Sequence, residues 1–181
     1  MLDYKATDIT FLKKLFIKAG GAREREFLDV LTAEEAEVYQ HALPVSWVDS
    51  DMNFAIVRKA LPILYPSHRA DFGHFGYELA GEDFGGIYKI LIRIVSVEYV
   101  VASMEKFWGT FNRKGLGSGR MVPGTKQAVL TVTQYPDMAQ PYLELLSGYL
   151  QRLFEMIGLK NVRTEIDAQD REALKCLVSW D

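Results

Sequence analysis

The chain has 181 residues and a net charge of −3, and 49% of its residues are hydrophobic against 25% charged. This length supports one domain with a substantial core, and the scattered basic residues exclude a clustered nucleic-acid-binding surface. A single cysteine excludes an intramolecular disulfide and three separated histidines give no metal-ligand spacing, so we expect a cytoplasmic protein without a metal site.

Short helices are predicted along the first part of the chain. Residues 11–18 are amphipathic and stop at a pair of glycines, so they form either a short helix or the first strand. Helices are predicted at 23–31 and at 32–43. The second has Thr32 with Glu35 three residues later, which is the spacing of a capping box.

The next helix is bounded by a proline on each side. Pro44 ends the preceding helix, and Ser50 or Asp51 can cap the next one. Pro62 is expected to kink this helix or to stop it early, because a proline inside a helix removes a backbone hydrogen bond.

The segment 69–95 contains one clear element and one ambiguous element. A helix is predicted at 69–79, followed by a glycine-punctuated turn at 81–86. In 87–95 the isoleucines favour a strand, whereas Lys89 and Arg93 share one helical edge, and we favour a helix. Those charges also interrupt the most apolar run, so we predict neither a membrane span nor contact with a membrane.

The clearest apolar stripe of the first two thirds follows. Ser96 can cap this helix, which is followed by a glycine-rich turn at 112–119 and a short strand at 120–122. The stripe consists of Val97, Val100, Val101, Met104, Trp108 and Phe111.

A strand at 126–135 precedes the most regular helix of the chain, for which Asp137 can be the cap and Gly158 the stop. The polar residues of this helix form one narrow stripe, so we expect it to be covered on two sides. A second apolar row consists of Tyr142, Leu145, Tyr149 and Met156.

Two alternating strands, 162–167 and 174–180, complete the chain around a polar turn. We therefore predict an α+β fold in a single domain, 1–181. An N-terminal helical layer covers about residues 11–112. It packs on a three- or four-stranded antiparallel sheet that carries one long C-terminal helix, and this sheet and helix together cover about residues 116–181.

Several local strings and the order of the elements resemble a bacterial family of unassigned function, best known from Myxococcus and other δ-proteobacteria. The strings are LPVSW at 43–47, GIYKIL at 86–91, SVE at 96–98, and VRTE at 162–165 after Gly158. The resemblance covers about 11–180 and concerns packing, so it implies a fold more than a chemistry. A more distant likeness extends to the four-vinyl reductase domain, the haem nitric-oxide-binding domain and the transport-particle (TRAPP) subunits, which commonly enclose an apolar ligand or form dimers.

Two departures from these relatives limit what the resemblance implies. Many relatives have a cysteine-rich turn between the last two strands, whereas this chain has Ile166 and Leu174 at the corresponding places. Haem binding in the similar domain needs an axial histidine near Ser103 and a Tyr-x-Ser-x-Arg pattern near 131–135, and the sequence has neither. We therefore expect no haem and no other cofactor.

Few residues point to catalysis. His74 can line a pocket, but it has no histidine or cysteine as a second ligand at i+3 or i+4, which is typical of a structural or surface histidine. Cys176 lies on the apolar phase of the last strand, which is typical of a buried and unreactive thiol. Neither the DFG string at 71–73 nor the glycine run at 115–119 has the companions that a kinase motif or a phosphate-binding loop needs. We expect no enzyme.

Aromatic residues are the best candidates for a binding site. Aromatic stripes at helical spacing are core more often than pocket, but the long helix and the Trp108 stripe can enclose a small cavity. We therefore expect a non-catalytic sensor or binding domain for a small apolar ligand. The alternative is a homodimeric interaction module, because 87–95 has little polar surface. The predicted lining consists of Phe72, His74, Phe75, Trp108, Phe111, Tyr142 and Tyr149, with Phe107 in the same aromatic set.

Overall fold

The computed structural model describes residues 2–66, 71–85, 95–135, 140–167 and 173–181. Their contacts form two compact units, Met1–Asp71 and Phe72–Asp181. The fold class is α+β, as predicted. The helices between residues 72 and 111 belong to the same unit as the C-terminal sheet. The single-domain organisation stays a prediction.

The first unit combines helices with a small antiparallel sheet. The first strand pairs with the second, Lys5 opposite Trp47. The prediction of an all-helical layer is wrong here, because strands of four and three residues are too short to show an alternating pattern. The described elements are β1 Leu2–Lys5, α1 Thr7–Ala19, α2 Gly21–Val30, α3 Ala33–His41, β2 Trp47–Asp49 and α4 Ser50–Leu64.

The predicted capping box is confirmed at the start of α3. The backbone N–H of Glu35 donates to the Thr32 hydroxyl at 3.2 Å, and the backbone N–H of Thr32 donates to the Glu35 carboxylate at 2.6 Å. The predicted caps of α4 are wrong: Asp49 takes this role and accepts from two backbone N–H groups of the first turn. Pro62 lies in the last turn of α4, which ends two residues later at Leu64.

A buried polar cluster joins the starts of β1, α1 and α4. The Asp8 carboxylate accepts hydrogen bonds from the Tyr4 hydroxyl at 3.2 Å and from the Asn53 amide at 2.9 Å. Asp3 accepts from the backbone N–H of Ser50 at 3.0 Å. These bonds hold the starts of α1 and α4 against β1.

The second unit contains a four-stranded antiparallel sheet with the strand order β3-β4-β6-β5 and one long helix, α8, between β4 and β5. Both features confirm the predicted architecture. No helix in the described part of the chain is long and apolar enough to cross a membrane. The described elements are α5 Phe72–Asp83, α6 Val97–Ala102, α7 Met104–Phe111, β3 Leu116–Met121, β4 Gln127–Thr133, α8 Gln140–Met156, β5 Arg163–Asp167 and β6 Ala173–Ser179.

Glycines explain why the observed bounds of β3 and α5 differ from the predicted bounds. The second half of the expected glycine-rich turn at 112–119 is strand, because a glycine strand lets α6 and α7 lie close to it. A Cβ at Gly117 would overlap the Trp108 side chain, and one at Gly119 would overlap the Val101 carbonyl. Helix α5 continues through Gly81 to Asp83, beyond its expected end. The predictions for 87–95 and for an Asp137 cap fall largely or wholly outside the described residues.

Helix α8 lies between the sheet and α5, as its narrow polar stripe predicts. On the sheet side, the Ser147 and Thr164 hydroxyls are 2.6 Å apart. On the opposite side the backbones of α5 and α8 touch: a Cβ at Gly76 would overlap the Leu145 carbonyl, and one at Gly148 would overlap the Gly73 carbonyl. We call this the glycine contact.

The glycine contact predicts a large effect from one methyl group. In the Gly76→Ala variant the methyl meets a backbone carbonyl that cannot rotate away, so we expect the free energy of unfolding to fall by roughly 1–3 kcal/mol. The matched control is Gly109→Ala in α7, where no atom lies within 4 Å of the added carbon. That variant should gain up to about 1 kcal/mol from helix propensity. Urea denaturation followed by circular dichroism measures both, and equal changes would contradict the close approach.

Candidate functional site

The predicted lining residues of α5 point in different directions. Phe72 and Phe75 are buried. His74 lies on the exposed face, with 52% of its side chain accessible and its Nε2 3.7 Å from the Glu78 carboxylate. The structure therefore does not bring His74 together with the buried rings.

Trp108 and Tyr142 belong to a closed aromatic group between α7, α8 and β3. Their rings stack with 5.8 Å between centroids, and Tyr135 packs on Tyr142 at 6.3 Å. The Trp108 indole N–H donates to the Lys114 carbonyl at 2.8 Å, and the Tyr142 hydroxyl donates to the Asn112 side chain at 2.8 Å. Both polar atoms have partners inside the protein, so this group anchors α7 to α8.

A second aromatic group lies on another side of α7 and is more open. The Phe107 and Phe111 centroids are 5.3 Å apart, and both rings contact Tyr149, at 6.0 and 6.5 Å. Phe84, just beyond α5, contacts Phe107 at 6.0 Å and Tyr149 at 6.1 Å. Tyr149 is buried, whereas the three phenylalanines are half-buried. We call these four residues the aromatic cluster.

Sequence reasoning identified Phe107, Phe111 and Tyr149 but missed Phe84. Phe84 lies in a stretch that is rich in glycine and acidic residues, which was interpreted as a turn. An aromatic residue inside a predicted turn is the feature of the sequence that could have indicated that Phe84 packs in the cluster. The sequence also placed Trp108, Tyr142 and Tyr149 around one cavity, whereas their ring contacts fall into two groups.

An acidic group borders the aromatic cluster. The Tyr149 hydroxyl donates to the Asp83 carboxylate at 2.9 Å, and Asp83 is the last residue of α5. One turn further along α8, the Arg152 guanidinium donates to the Tyr77 hydroxyl at 3.0 Å and lies 3.6 Å from Glu155. Burial is the main cause of a raised pKa of the Tyr77 phenol, and the hydrogen bond to Glu155 is the second cause. The phenol therefore stays protonated and donates to Glu155 at 2.5 Å.

The chemistry of Cys176 is that of a core residue. It lies in the middle of β6, opposite Leu130 and Ile166 on the neighbouring strands, and it is buried. Burial raises the pKa of its thiol to about 12, so the thiolate needed for nucleophilic attack does not form near neutral pH. Across the described ranges, no three His, Cys, Asp or Glu side chains are grouped to hold a metal ion.

Comparisons with known proteins relate the chain to one fold. No protein-family model matches the sequence, and a comparison with curated proteins gave no match. Among solved structures, the Fe(II) unliganded H-NOX protein from K. algicida is 12% identical with a TM-score of 0.61, covering 98% of this chain and 96% of that chain. An oxygen-binding H-NOX domain related to soluble guanylate cyclases, in its oxygen complex, is 12% identical with a TM-score of 0.60, covering 97% and 92%.

These similarities show the fold alone, since the identities are low. They agree with the distant likeness to the haem nitric-oxide-binding domain, while membership of the bacterial family stays a prediction. A third structure, from work on haem redox potential and porphyrin distortion, is 12% identical with a TM-score of 0.61 and covers 96% of each chain. The fold therefore raises the question of whether the residues of this chain fit a haem.

The residues present do not fit an imidazole-ligated haem. Around Ser103 the buried side chains are those of Val101, Met104 and Trp108. Of the histidines that the structure describes, His41 and His74 are both exposed. The Tyr-x-Ser-x-Arg pattern is absent at 131–135, and the run that begins with Tyr135 has Asp137 and Ala139 in place of the serine and the arginine.

This misfit predicts the outcome of a haem titration. Adding haemin to the purified protein should give the broad absorption of free haem, which desalting removes, because the described interior supplies no axial imidazole. A haem-binding globin treated in the same way provides the positive control. A stoichiometric, sharp Soret band that survives gel filtration would contradict this interpretation.

Proposed function

We propose that this chain is a non-catalytic cytoplasmic sensor or binding domain for a small apolar molecule, and that it works without haem. The aromatic cluster carries the proposal. Rings from two other parts of the second unit converge on Tyr149 of α8: Phe84 beyond α5, and Phe107 and Phe111 on α7. All three are half-buried, so part of each remains accessible to solvent. Aromatic rings that are held in place offer large apolar contact areas at a low entropic cost.

The frame behind the aromatic cluster is rigid. Helix α7 is fixed to α8 by the Trp108 and Tyr142 contacts, and the glycine contact fixes α5 to α8. Phe107 and Phe111 are therefore presented on a helix whose other side is already engaged. Such an arrangement supports binding by a largely pre-formed site.

The chemistry of the individual side chains supports a non-catalytic role. Cys176 is a buried thiol whose pKa is raised to about 12 by that burial, and His74 is an exposed side chain beside Glu78. Neither is an activated nucleophile or an oriented base. The similarity to H-NOX structures, among them an oxygen-binding domain, supports a sensor over an enzyme.

The proposal predicts binding of an uncharged aromatic probe. N-phenyl-1-naphthylamine should increase in fluorescence with the protein, and uncharged alkylbenzenes should compete with it. At a hundred times its Kd a ligand adds about 2.7 kcal/mol of stability, which a thermal shift detects. The Phe107→Ala variant should bind more weakly, whereas Tyr99→Ala, which alters an exposed aromatic residue of α6 outside the cluster, should not. Absence of binding, or equal binding by both variants, would remove the proposal.

Exposed apolar residues favour the alternative, a homodimeric interaction module. Leu43 and Val45, on either side of Pro44 in the loop before β2, are 60% and 71% exposed. Two large apolar side chains this close together are typical of a contact surface.

The alternative predicts concentration-dependent self-association. Sedimentation velocity should show a dimer, and Val45→Asp should reduce it, because the added carboxylate would be buried in the interface. Ile17→Asp is the matched control, since Ile17 is 75% exposed on α1, outside the loop. A monomer at every concentration would exclude this function.

A further inference from the structure

We propose that the outer edge of β5 pairs with β5 of a second copy of this chain, so that the two sheets join into one continuous sheet. This inference goes beyond the proposed function, since it concerns a partner and not the ligand. It follows from the position of β5 in the sheet and from the order of the charges along the strand.

Strand β5 is an edge strand, because it lies at one end of the order β3-β4-β6-β5. Its five residues, Arg163–Asp167, pair with β6 in an unbroken register. Within the described part of the chain, no strand pairs with the other side of β5, and no backbone hydrogen bond outside the ladder to β6 reaches it. The N–H and C=O groups along such an edge can pair with a further strand.

The inner face of β5 is compatible with this pairing. Proteins discourage strand addition with a proline, a bulge or a charge on the inner face of an edge strand, and β5 has none of these. The Thr164 hydroxyl lies 2.6 Å from the Ser147 hydroxyl of α8, and Ile166 packs on the hydrophobic core under that helix. Helix α8 therefore holds β5 in an extended conformation that a second strand can use.

The charged side chains of β5 lie on the outer face of the sheet, which is the face turned away from α8. Arg163 and Glu165 are both exposed there. The residues opposite them on β6, Ser179 and Leu177, carry no charge. Neither Arg163 nor Glu165 forms a hydrogen bond or an ion pair with another residue of the described ranges. Both charges are therefore available to a strand on the other side of β5.

A second copy presents these charges in a complementary order. A two-fold axis perpendicular to the sheet makes the two strands antiparallel and keeps their outer faces on the same side. With the axis at Thr164, Arg163 of each copy lies opposite Glu165 of the other, and the two threonines face each other, which is a favourable cross-strand pair. An axis at Arg163 or at Glu165 instead places like charges opposite each other. The charge order of β5 therefore selects one register.

The predicted contact is small. A standard interface uses about 20–30 residues from each partner, whereas β5 contributes five. We therefore expect a weak dimer that forms as the protein concentration rises and that high salt weakens, because its charge pairs are at the surface.

The test exchanges the two charges. Sedimentation velocity of the whole chain over a concentration series measures the dissociation constant of the dimer. Arg163→Glu alone and Glu165→Arg alone should each raise this constant about tenfold or more, because each places like charges opposite each other on both sides of the axis. A 1:1 mixture of the two variants should dimerise again, because the two acidic side chains of one copy then lie opposite the two basic side chains of the other.

Two further variants serve as controls. Arg120→Glu makes the same charge change at an exposed residue of β3, the strand at the opposite end of the sheet, and it should leave the dimer unchanged. Val45→Asp should also leave it unchanged, which separates this contact from one through the loop before β2. Hydrogen exchange of the unmodified protein needs no variant: protection of the β5 amides should increase with protein concentration, and that of the β3 amides should not.

Three results would overturn the inference: a monomer at every concentration, a dimer that both β5 variants leave intact, or a mixture of the two variants that stays monomeric. Protection of β5 that is independent of concentration would also count against it. None of these results affects the apolar binding function, which the fluorescent probe measures separately.

Discussion

The contact between the backbones of α5 and α8 is the constraint on which the rest of the second unit depends. Gly76 and Gly148 have no side chains to hold the helices apart, so each backbone lies against a carbonyl of the other helix. This fixes the end of α5 over the middle of α8. For this reason Asp83 and Phe84 reach Tyr149. A larger residue in the glycine contact would move both of them away from Tyr149.

Two glycines of β3 also allow a close approach, in this case between β3 and the helices α6 and α7. Gly117 and Gly119 allow α6 and α7 to lie directly on β3, with Trp108 filling the space over the first of them. With Trp108 held there, Phe107 and Phe111 point toward α8 and Phe84. Close packing at two sets of glycines therefore presents the three half-buried rings. From the sequence, Gly117 and Gly119 are interpreted as part of a turn, and Gly76 and Gly148 lie inside predicted helices without a sign of the contact they make.

The predictable parts of the fold were those set by local pattern. The periodicity of α8, the Thr32 capping box and the last two strands are each contained in a short stretch of sequence, and all three are confirmed. Strands β1 and β2 were missed because they are short and pair across more than 40 residues, from Lys5 to Trp47. Only the end of strand β3 was predicted, at 120–122, because glycines usually indicate a turn, and the reason that its glycine-rich part is a strand lies in the helices that cover it.

For the candidate site, periodicity showed which residues face inward but not which partner each ring meets. Tyr142 and Tyr149 lie on the same face of α8, yet the first packs on Trp108 and the second on Phe107 and Phe111. That division depends on where α7 crosses α8, which no local pattern records. Phe84 joins the cluster through the length of α5, which exceeded the predicted helix.

At 12% sequence identity, a shared fold does not imply a shared chemistry of the site. A shared fold keeps the frame of helices and sheet, whereas the bound group is decided by side chains, which change faster. Here the side chains buried around Ser103 are those of Val101, Met104 and Trp108, and an aspartate borders the aromatic cluster. The shared frame therefore does not decide which group the aromatic cluster binds.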